Sequence, residues 1–311
     1  MSTFPSSASS AIRPGSLAAW KIALRPQSFP IAIIPVVVGT AIAWSASGAF
    51  HAGVAMLALA GAIVAQAITN LQNDVGYTVR GGETGTRTGL PRATANGWLT
   101  VGAVNGSILG ALMLAVLIAA PLIAYRGWPV IPITVASVVA AYAYMGGPRP
   151  IAYTPLGELT VFLFFGLMAV CGTVYVQSGE VGPLAWIAGV AIGLQAAAVL
   201  AVGNYRDARH DATTGRRTFP VVFGPNASRR LVATLVFAPF ALAIAMAVVS
   251  RAWTYAVALI ALPRAWWLWR DFIATPAGHA LTPILFRTVM LEALFGALLA
   301  AGAVLAPIAV R

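Results

Sequence analysis

The segment 204–218, NYRDARHDATTGRRT, sets two carboxylates, Asp207 and Asp211, four residues apart. On a helix that spacing puts both on one face, and Asn204 joins them one turn earlier. Gly215, Arg216 and Arg217 follow, where a helix can end in a basic loop. The whole group comes directly after the apolar run 184–203. Two acids at the mouth of a membrane helix are costly unless something compensates them. A divalent cation bound to a phosphorylated ligand is a fitting compensation, because magnesium is commonly held by one or two carboxylates plus substrate phosphate oxygens.

A second segment repeats the plan. Residues 70–92, NLQNDVGYTVRGGETGTRTGLPR, bring Asn70, Asn73 and Asp74 at helical spacing, then Arg80, Glu83, Arg87 and Arg92 in a Gly-rich run. Each segment reads Asn, then Asp three or four residues on, then Gly and Arg, which is a weak internal repeat. Facing each other, the two would enclose a cavity in which carboxylates hold metal and arginines grip phosphate oxygens bidentately. Taken singly, either segment also reads as a helix end that faces water; both together favour a site. A P-loop is excluded by the lack of Gly-x-x-x-x-Gly-Lys-Ser/Thr. The three histidines, His51, His210 and His279, are too scattered for a His/Cys metal cluster, and His210 reads as a bystander beside Asp211.

Membrane helices must carry these segments. The chain is 59% hydrophobic and 9% charged, with a mean hydropathy of +0.85, whereas a soluble domain has about 25% charged residues. That composition defines an integral membrane protein. Nine apolar stretches approach the ~20 residues that a bilayer core requires. They are 29–48, 52–72, 99–121, 128–146, 156–177, 184–203, 230–249, 253–269 and 288–308. The eighth contains Pro263 and Arg264 and is expected to be broken or tilted. With the N-terminus in the cytoplasm, only Arg126, Arg251 and Arg311 of the 19 Lys and Arg fall outside, as the positive-inside rule demands. The expected topology is therefore N-terminus in and C-terminus out, with both polar segments cytoplasmic. The net charge of +11 reports this orientation, so the bilayer is the expected partner and nucleic acid is not. Residues 1–16 are Ser-rich, lack the apolar core of a cleavable signal, and read as a disordered tail. Residues 17–311 read as a single transmembrane domain. One cysteine, Cys171, inside an apolar run, leaves no disulfide framework.

A third stretch, 144–177, lies between the two polar segments. Gly146, Gly147 and Pro148 end the fourth apolar stretch. Glu158 opens the fifth, either as an acid favoured by the helix dipole or as a substrate ligand. Phe162, Phe164 and Phe165 read as lipid or packing contacts, whereas Tyr144, Tyr153 and Tyr175 are candidates to line an apolar tunnel. Glu292, inside the last stretch, is expected to snorkel or to pair with a neighbour such as Arg287.

Over nearly its whole length the chain resembles the UbiA superfamily of intramembrane aromatic prenyltransferases, in its 1,4-dihydroxy-2-naphthoate branch of menaquinone synthesis. Arg25, Pro26 and Pro35 to Gly39 look like the opening R-P … P-V-x-x-G-T, and Asn70 to Asp74 like N-L-x-N-D, with Gly89 and Arg92 after it. Gly146–Pro148, Leu156–Glu158, Phe162–Gly166 and Gly172–Gln177 look like G-G-P … L-G-E-x-x-V-F-x-F-F-G … G-T-x-Y-V-Q. Asn204, Arg206, Asp207, Asp211, Gly215 and Thr218 match N-x-R-D-x-x-x-D-x-x-x-G-x-x-T. The chain departs from the pattern at Tyr77, where N-D-x-x-D has its second Asp, at Glu83, where Asp is common, and at Arg216, where Lys is frequent.

The resemblance implies an all-α polytopic fold of about nine transmembrane helices around a central cavity, in the bacterial inner (plasma) membrane. It implies Mg2+-dependent transfer of a polyprenyl group from polyprenyl diphosphate to 1,4-dihydroxy-2-naphthoate, with loss of carbon dioxide and a demethylmenaquinone-type product. Asp74, Asp207 and Asp211 become the catalytic acids. Metal would be held by these with Asn70, Asn73, Glu83 and Asn204. Substrate would be bound by Arg25, Asn70, Arg80, Arg87, Arg92, Asn204, Arg206, Arg216, Tyr144 and Tyr153. Two other readings stand beside it: the same chemistry on a hydroxybenzoate, quinolone or other phenol, and a membrane transporter.

Overall fold

A computed structural model describes residues 12–82 and 89–308, and every regular element in it is a helix. Two of the expected ligands, Glu83 and Arg87, lie outside the described residues, as does most of the expected tail. Ile12 joins an apolar cluster. The Gly15 amide then donates to the Trp98 carbonyl at 2.8 Å, and the Ser16 hydroxyl caps α1 (Leu17–Leu24).

Among the described residues, seven helical spans are long and apolar enough to cross a membrane. They are α2 (Pro30–Ser47), α3 (Ala52–Val79), α4 (Val101–Arg126), the span Gly157–Ser178, α8 (Pro183–Thr213), α9 (Phe219–Ser250) and the span His279–Leu305. The fourth expected stretch forms the shorter α5 (Val130–Ala143). The span Gly157–Ser178 is α6 (Gly157–Val161), a π-helical turn over Phe162–Met168, and α7 (Ala169–Ser178). The eighth expected stretch divides at Pro263 into a 3-10 helix, Trp253–Ala261, and α10 (Leu262–Ala274). The last span ends in α11 (Thr282–Leu305).

Helix length explains where the polar segments sit. At 1.5 Å per residue, α3 and α8 extend about 42 and 46 Å, whereas a bilayer core is about 30 Å thick. Both helices outrun their apolar runs, and the overhang of each is the Asn/Asp-rich stretch. The helix therefore continues beyond the apolar stretches 52–72 and 184–203 through the polar residues that follow them. Backbone hydrogen bonding continues there, and side chains find partners in neighbouring elements. The π turn sits where helices cross closely: a Cβ on Gly166 would collide with the backbone of Gly193 on α8. Such glycine contacts are how membrane helices approach one another, and wide π turns recur at functional sites.

Glu292 behaves differently from the expectation. It is fully buried on α11, and among the described residues neither carboxylate oxygen has a hydrogen-bond partner. Arg287 instead pairs with Asp271 at 2.7 Å. Five residues along a helix turn the side chains about 140° apart, so Arg287 and Glu292 point to different faces.

Candidate active site

A cavity of about 430 Å³ runs through the bundle, lined by residues from the α1–α2 connection through to α11. One stripe of α3 shows its character: Leu57, Gly61, Ala65, Asn70, Asn73 and Tyr77 all line it, on a face that winds around the helix as it rises. That face begins apolar and becomes polar over twenty residues, about 30 Å of rise. Phe164, Phe165 and Met168 line the apolar part, so two of the three phenylalanines read as packing contacts face the cavity instead. Phe162 packs against the core. Tyr144 lines the cavity, whereas Tyr153 and Tyr175 do not.

The overhang of α8 supplies a charged wall. Asp207 lines the cavity and receives a fork from its neighbour Arg206, Nε to Oδ1 at 2.9 Å and Nη2 to Oδ2 at 2.7 Å. Asn204 also lines the cavity, and its amide nitrogen donates to Glu158 Oε1 at 2.9 Å. Glu158 is thus neither a simple dipole cap nor a cavity group; it is a buried acid that orients Asn204. Asp211, 0% exposed, faces away from the cavity. It accepts from Arg216 Nη1 at 2.7 Å and from Thr218 Oγ1 at 3.2 Å. Gly215, at φ +75°, makes the left-handed turn that lets Arg216 fold back on Asp211. His210, expected as a bystander, is buried and donates from Nε2 to the Gly82 carbonyl at 2.8 Å, joining α8 to the end of α3.

The overhang of α3 is used differently. Asp74, also 0% exposed, accepts from the backbone amides of Ala93 and Thr94, each at 2.8 Å, and from Thr94 Oγ1 at 2.6 Å. It organises the turn that carries Arg92. Asn70 donates to the Leu24 carbonyl at 2.7 Å and to Ser28 Oγ at 2.9 Å, and accepts from Gln66 at 3.2 Å. These bonds hold Arg25, a non-glycine residue in the left-handed region at φ 51°. Such a backbone costs on the order of 1–3 kcal/mol and persists where its surroundings fix it. Arg25 lines the cavity as a result. Asn73 lines it as well.

Tyr77 joins the two segments. Its phenol oxygen accepts a hydrogen bond from Arg216 Nη1. Its ring lies 4.3 Å from the Arg92 guanidinium carbon and 5.0 Å from that of Arg216. Arg216 also donates to the Ala152 carbonyl from Nε and Nη2. Burial alone would lower the basicity of Arg216, but Tyr77 and Asp211 outweigh it and the net shift is upward, so the group stays cationic. Burial likewise raises the Tyr153 phenol, against the opposing pull of Arg216. Arg80, expected to bind substrate, instead staples the chain: it donates to the carbonyls of Met145 at 2.8 Å and Gly147 at 2.5 Å.

Of the expected residues, Arg25, Asn70, Asn73, Arg92, Tyr144, Asn204, Arg206, Asp207 and Arg216 line one cavity; Asp74, Arg80, Tyr153 and Asp211 stand behind it. Ser28, Gln66 and the positioning role of Glu158 escaped the sequence reading. Ser28 and Gln66 carry no charge, and their only sequence signal was polarity inside or beside an apolar run. No group of three His, Cys, Asp or Glu gathers among the described residues. A hard divalent cation would draw on Asp207, on the amide oxygens of Asn73 and Asn204, and on the oxygens of its own ligand, a donor set that magnesium accepts.

Comparison with known proteins agrees with this arrangement. Residues 32–288 match the model of the UbiA prenyltransferase family. The chain is 34% identical over 226 residues to the 1,4-dihydroxy-2-naphthoate octaprenyltransferase of Escherichia coli (strain K12), covering 70% of this chain and 72% of that protein. It is 35% identical over 232 residues to the Mycobacterium tuberculosis protein of the same name, covering 70% and 73%. The fold is similar to that of a UbiA homolog from Archaeoglobus fulgidus bound to GPP and Mg2+, with a TM-score of 0.65 and 18% identity over 90% of this chain and 99% of that one. The chain therefore belongs to the UbiA prenyltransferase family. It is a multi-pass membrane enzyme, a prenyltransferase, and the transporter reading falls.

Proposed function

We propose that this enzyme transfers a polyprenyl group from polyprenyl diphosphate to 1,4-dihydroxy-2-naphthoate, at the cytoplasmic end of its cavity in a bacterial inner membrane. One observation carries the reading: a cavity that follows α3 over about 30 Å of helix rise is apolar at one end and closes at the other in a wall of Arg25, Arg92, Arg206, Arg216, Asn73, Asn204 and Asp207. A prenyl tail fits the first part and a diphosphate the second. The lining comes from nearly the whole chain, which supports treating it as one transmembrane domain. The names of the relatives support the naphthoate acceptor, and the Archaeoglobus structures support the donor and Mg2+.

The arginines stabilise charge as it develops on the departing diphosphate. Asn73, Asn204 and Asp207 are the groups we assign to Mg2+, with Asp74 and Asp211 able to join by exchanging their present partners. When bound, the ion neutralises the leaving group as a Lewis acid. The donor C–O bond breaks and its electron pair leaves with the diphosphate. The acceptor ring attacks the allylic carbon, and a C–C bond forms at the carboxylated position. The carboxylate then leaves as carbon dioxide and returns its electron pair to the ring. No ring proton has to be removed, which suits a cavity whose lining acid among the described residues is Asp207, already held by Arg206. Phe164, Phe165 and Met168 keep water from the allylic cation.

The test is a transfer assay in nanodiscs with polyprenyl diphosphate, Mg2+ and 1,4-dihydroxy-2-naphthoate. Prenylated, decarboxylated product supports the proposal. Transfer only to another phenol would keep the prenyl chemistry and overturn the acceptor.

A further inference from the structure

Tyr77 holds two arginines at once. Its ring lies close to two guanidiniums, Arg92 at 4.3 Å and Arg216 at 5.0 Å from the centroid, and its hydroxyl accepts from Arg216. All three side chains are at most 5% exposed, yet all three line the cavity. Buried like charges repel unless something favourable lies between them, and an aromatic π face offers that attraction to a cation. Asp211, from behind, balances Arg216. Arg25 and Arg206 add positive charge to the same cavity, against the Asp207 carboxylate. The wall's lining thus carries more positive than negative charge among the described residues, and an uncharged side chain links two of its arginines.

We infer that Tyr77 is a positioning residue that sets Arg92 and Arg216 as a diphosphate-binding pair, so that the wall takes the anion directly, without a metal ion. Arg216 contributes chiefly charge, because its N–H groups already serve Tyr77, Asp211 and Ala152. Arg92 is carried on the turn that Asp74 organises and is aligned by stacking. The inference rests on the prenyl-transfer reading for the identity of the anion, and on the ring and hydroxyl contacts for the role of Tyr77.

The experiment is calorimetric titration of inorganic pyrophosphate into the detergent-solubilised full chain in EDTA, with transfer activity in Mg2+ measured on the same preparations. The unchanged protein binds pyrophosphate without metal. Tyr77→Phe, which keeps ring and volume, binds about threefold more weakly, the low end of a net hydrogen bond, because the lost bond aligns Arg216 and does not touch the anion. Tyr77→Leu loses the stacking too and binds at least about tenfold more weakly. Tyr77→Asp weakens metal-free binding still further, by placing a negative charge between the arginines. Equal binding by Tyr77→Leu and the unchanged protein overturns the inference, as does no metal-free binding by a protein that transfers prenyl groups in Mg2+. If Tyr77→Leu melts early, Tyr77→Phe decides: equal binding overturns the role of the hydroxyl. Pyrophosphate binding that falls across these variants in a protein with no transfer activity supports the clamp and overturns the prenyl-transfer reading instead.

Discussion

The polar ends of α3 and α8 look like copies of one another in sequence, and they do different work. Both use their most buried acid behind the cavity. Asp74 gathers the amides of Ala93 and Thr94, and Asp211 gathers Arg216 and Thr218. In front, α3 offers amides and a phenol, Asn73 and Tyr77, whereas α8 offers a carboxylate clamped by a guanidinium, Asp207 with Arg206. Matching letters therefore do not mean matching roles. On α3 the stripe Gln66, Asn70, Asn73, Tyr77 keeps to one face, and Asp74 falls about 60° off it, towards its own loop.

Substitutions can break this comparison, and the largest effect belongs to the buried pair. Asp211→Ala leaves Arg216 without its counter-charge and is expected to cost about 3–5 kcal/mol of stability, read as thermal unfolding in detergent. The double substitution with Arg216→Ala is expected to recover part of that loss, since residues in contact are not additive. Asp74→Asn is expected to cost less, about 1–3 kcal/mol, because one buried N–H loses its acceptor. Equal losses in the two single variants would erase the distinction between an ion pair and a loop anchor. Asn73→Ala, at the front of α3, is expected to leave unfolding unchanged and to slow transfer roughly tenfold, the scale of a single hydrogen bond or ligand oxygen. Arg287→Ala, on an exposed ion pair with Asp271, is expected to change neither melting nor transfer, because such pairs are worth little in solvent.

Much of this was legible in the chain. Hydropathy gave seven of the nine expected spans at full length, because a spanning helix satisfies its own backbone in the bilayer, and the Asn/Asp spacing gave the end at which the cavity is polar. Three things were not legible. The partners of the polar helix ends were hidden, because those of Asn70, Asn204 and His210 come from distant residues: Leu24, Glu158 and Gly82. Arg80 reads as a ligand by charge, yet the carbonyls of Met145 and Gly147 claim it. Tyr77 read as a missing acid, and only the packing of Arg92 and Arg216 around its ring gives it a role.

The central claim is that the cavity performs prenyl transfer with Asp207 as its front carboxylate. The most direct measurement is transfer by Asp207→Asn in nanodiscs, beside its thermal unfolding. The prediction is a loss of at least about 100-fold in rate with a smaller loss of thermal stability than Asp211→Ala shows, because Asp207 lines the cavity whereas Asp211 is the fully buried counter-charge of Arg216. Transfer at the unsubstituted rate would contradict the account.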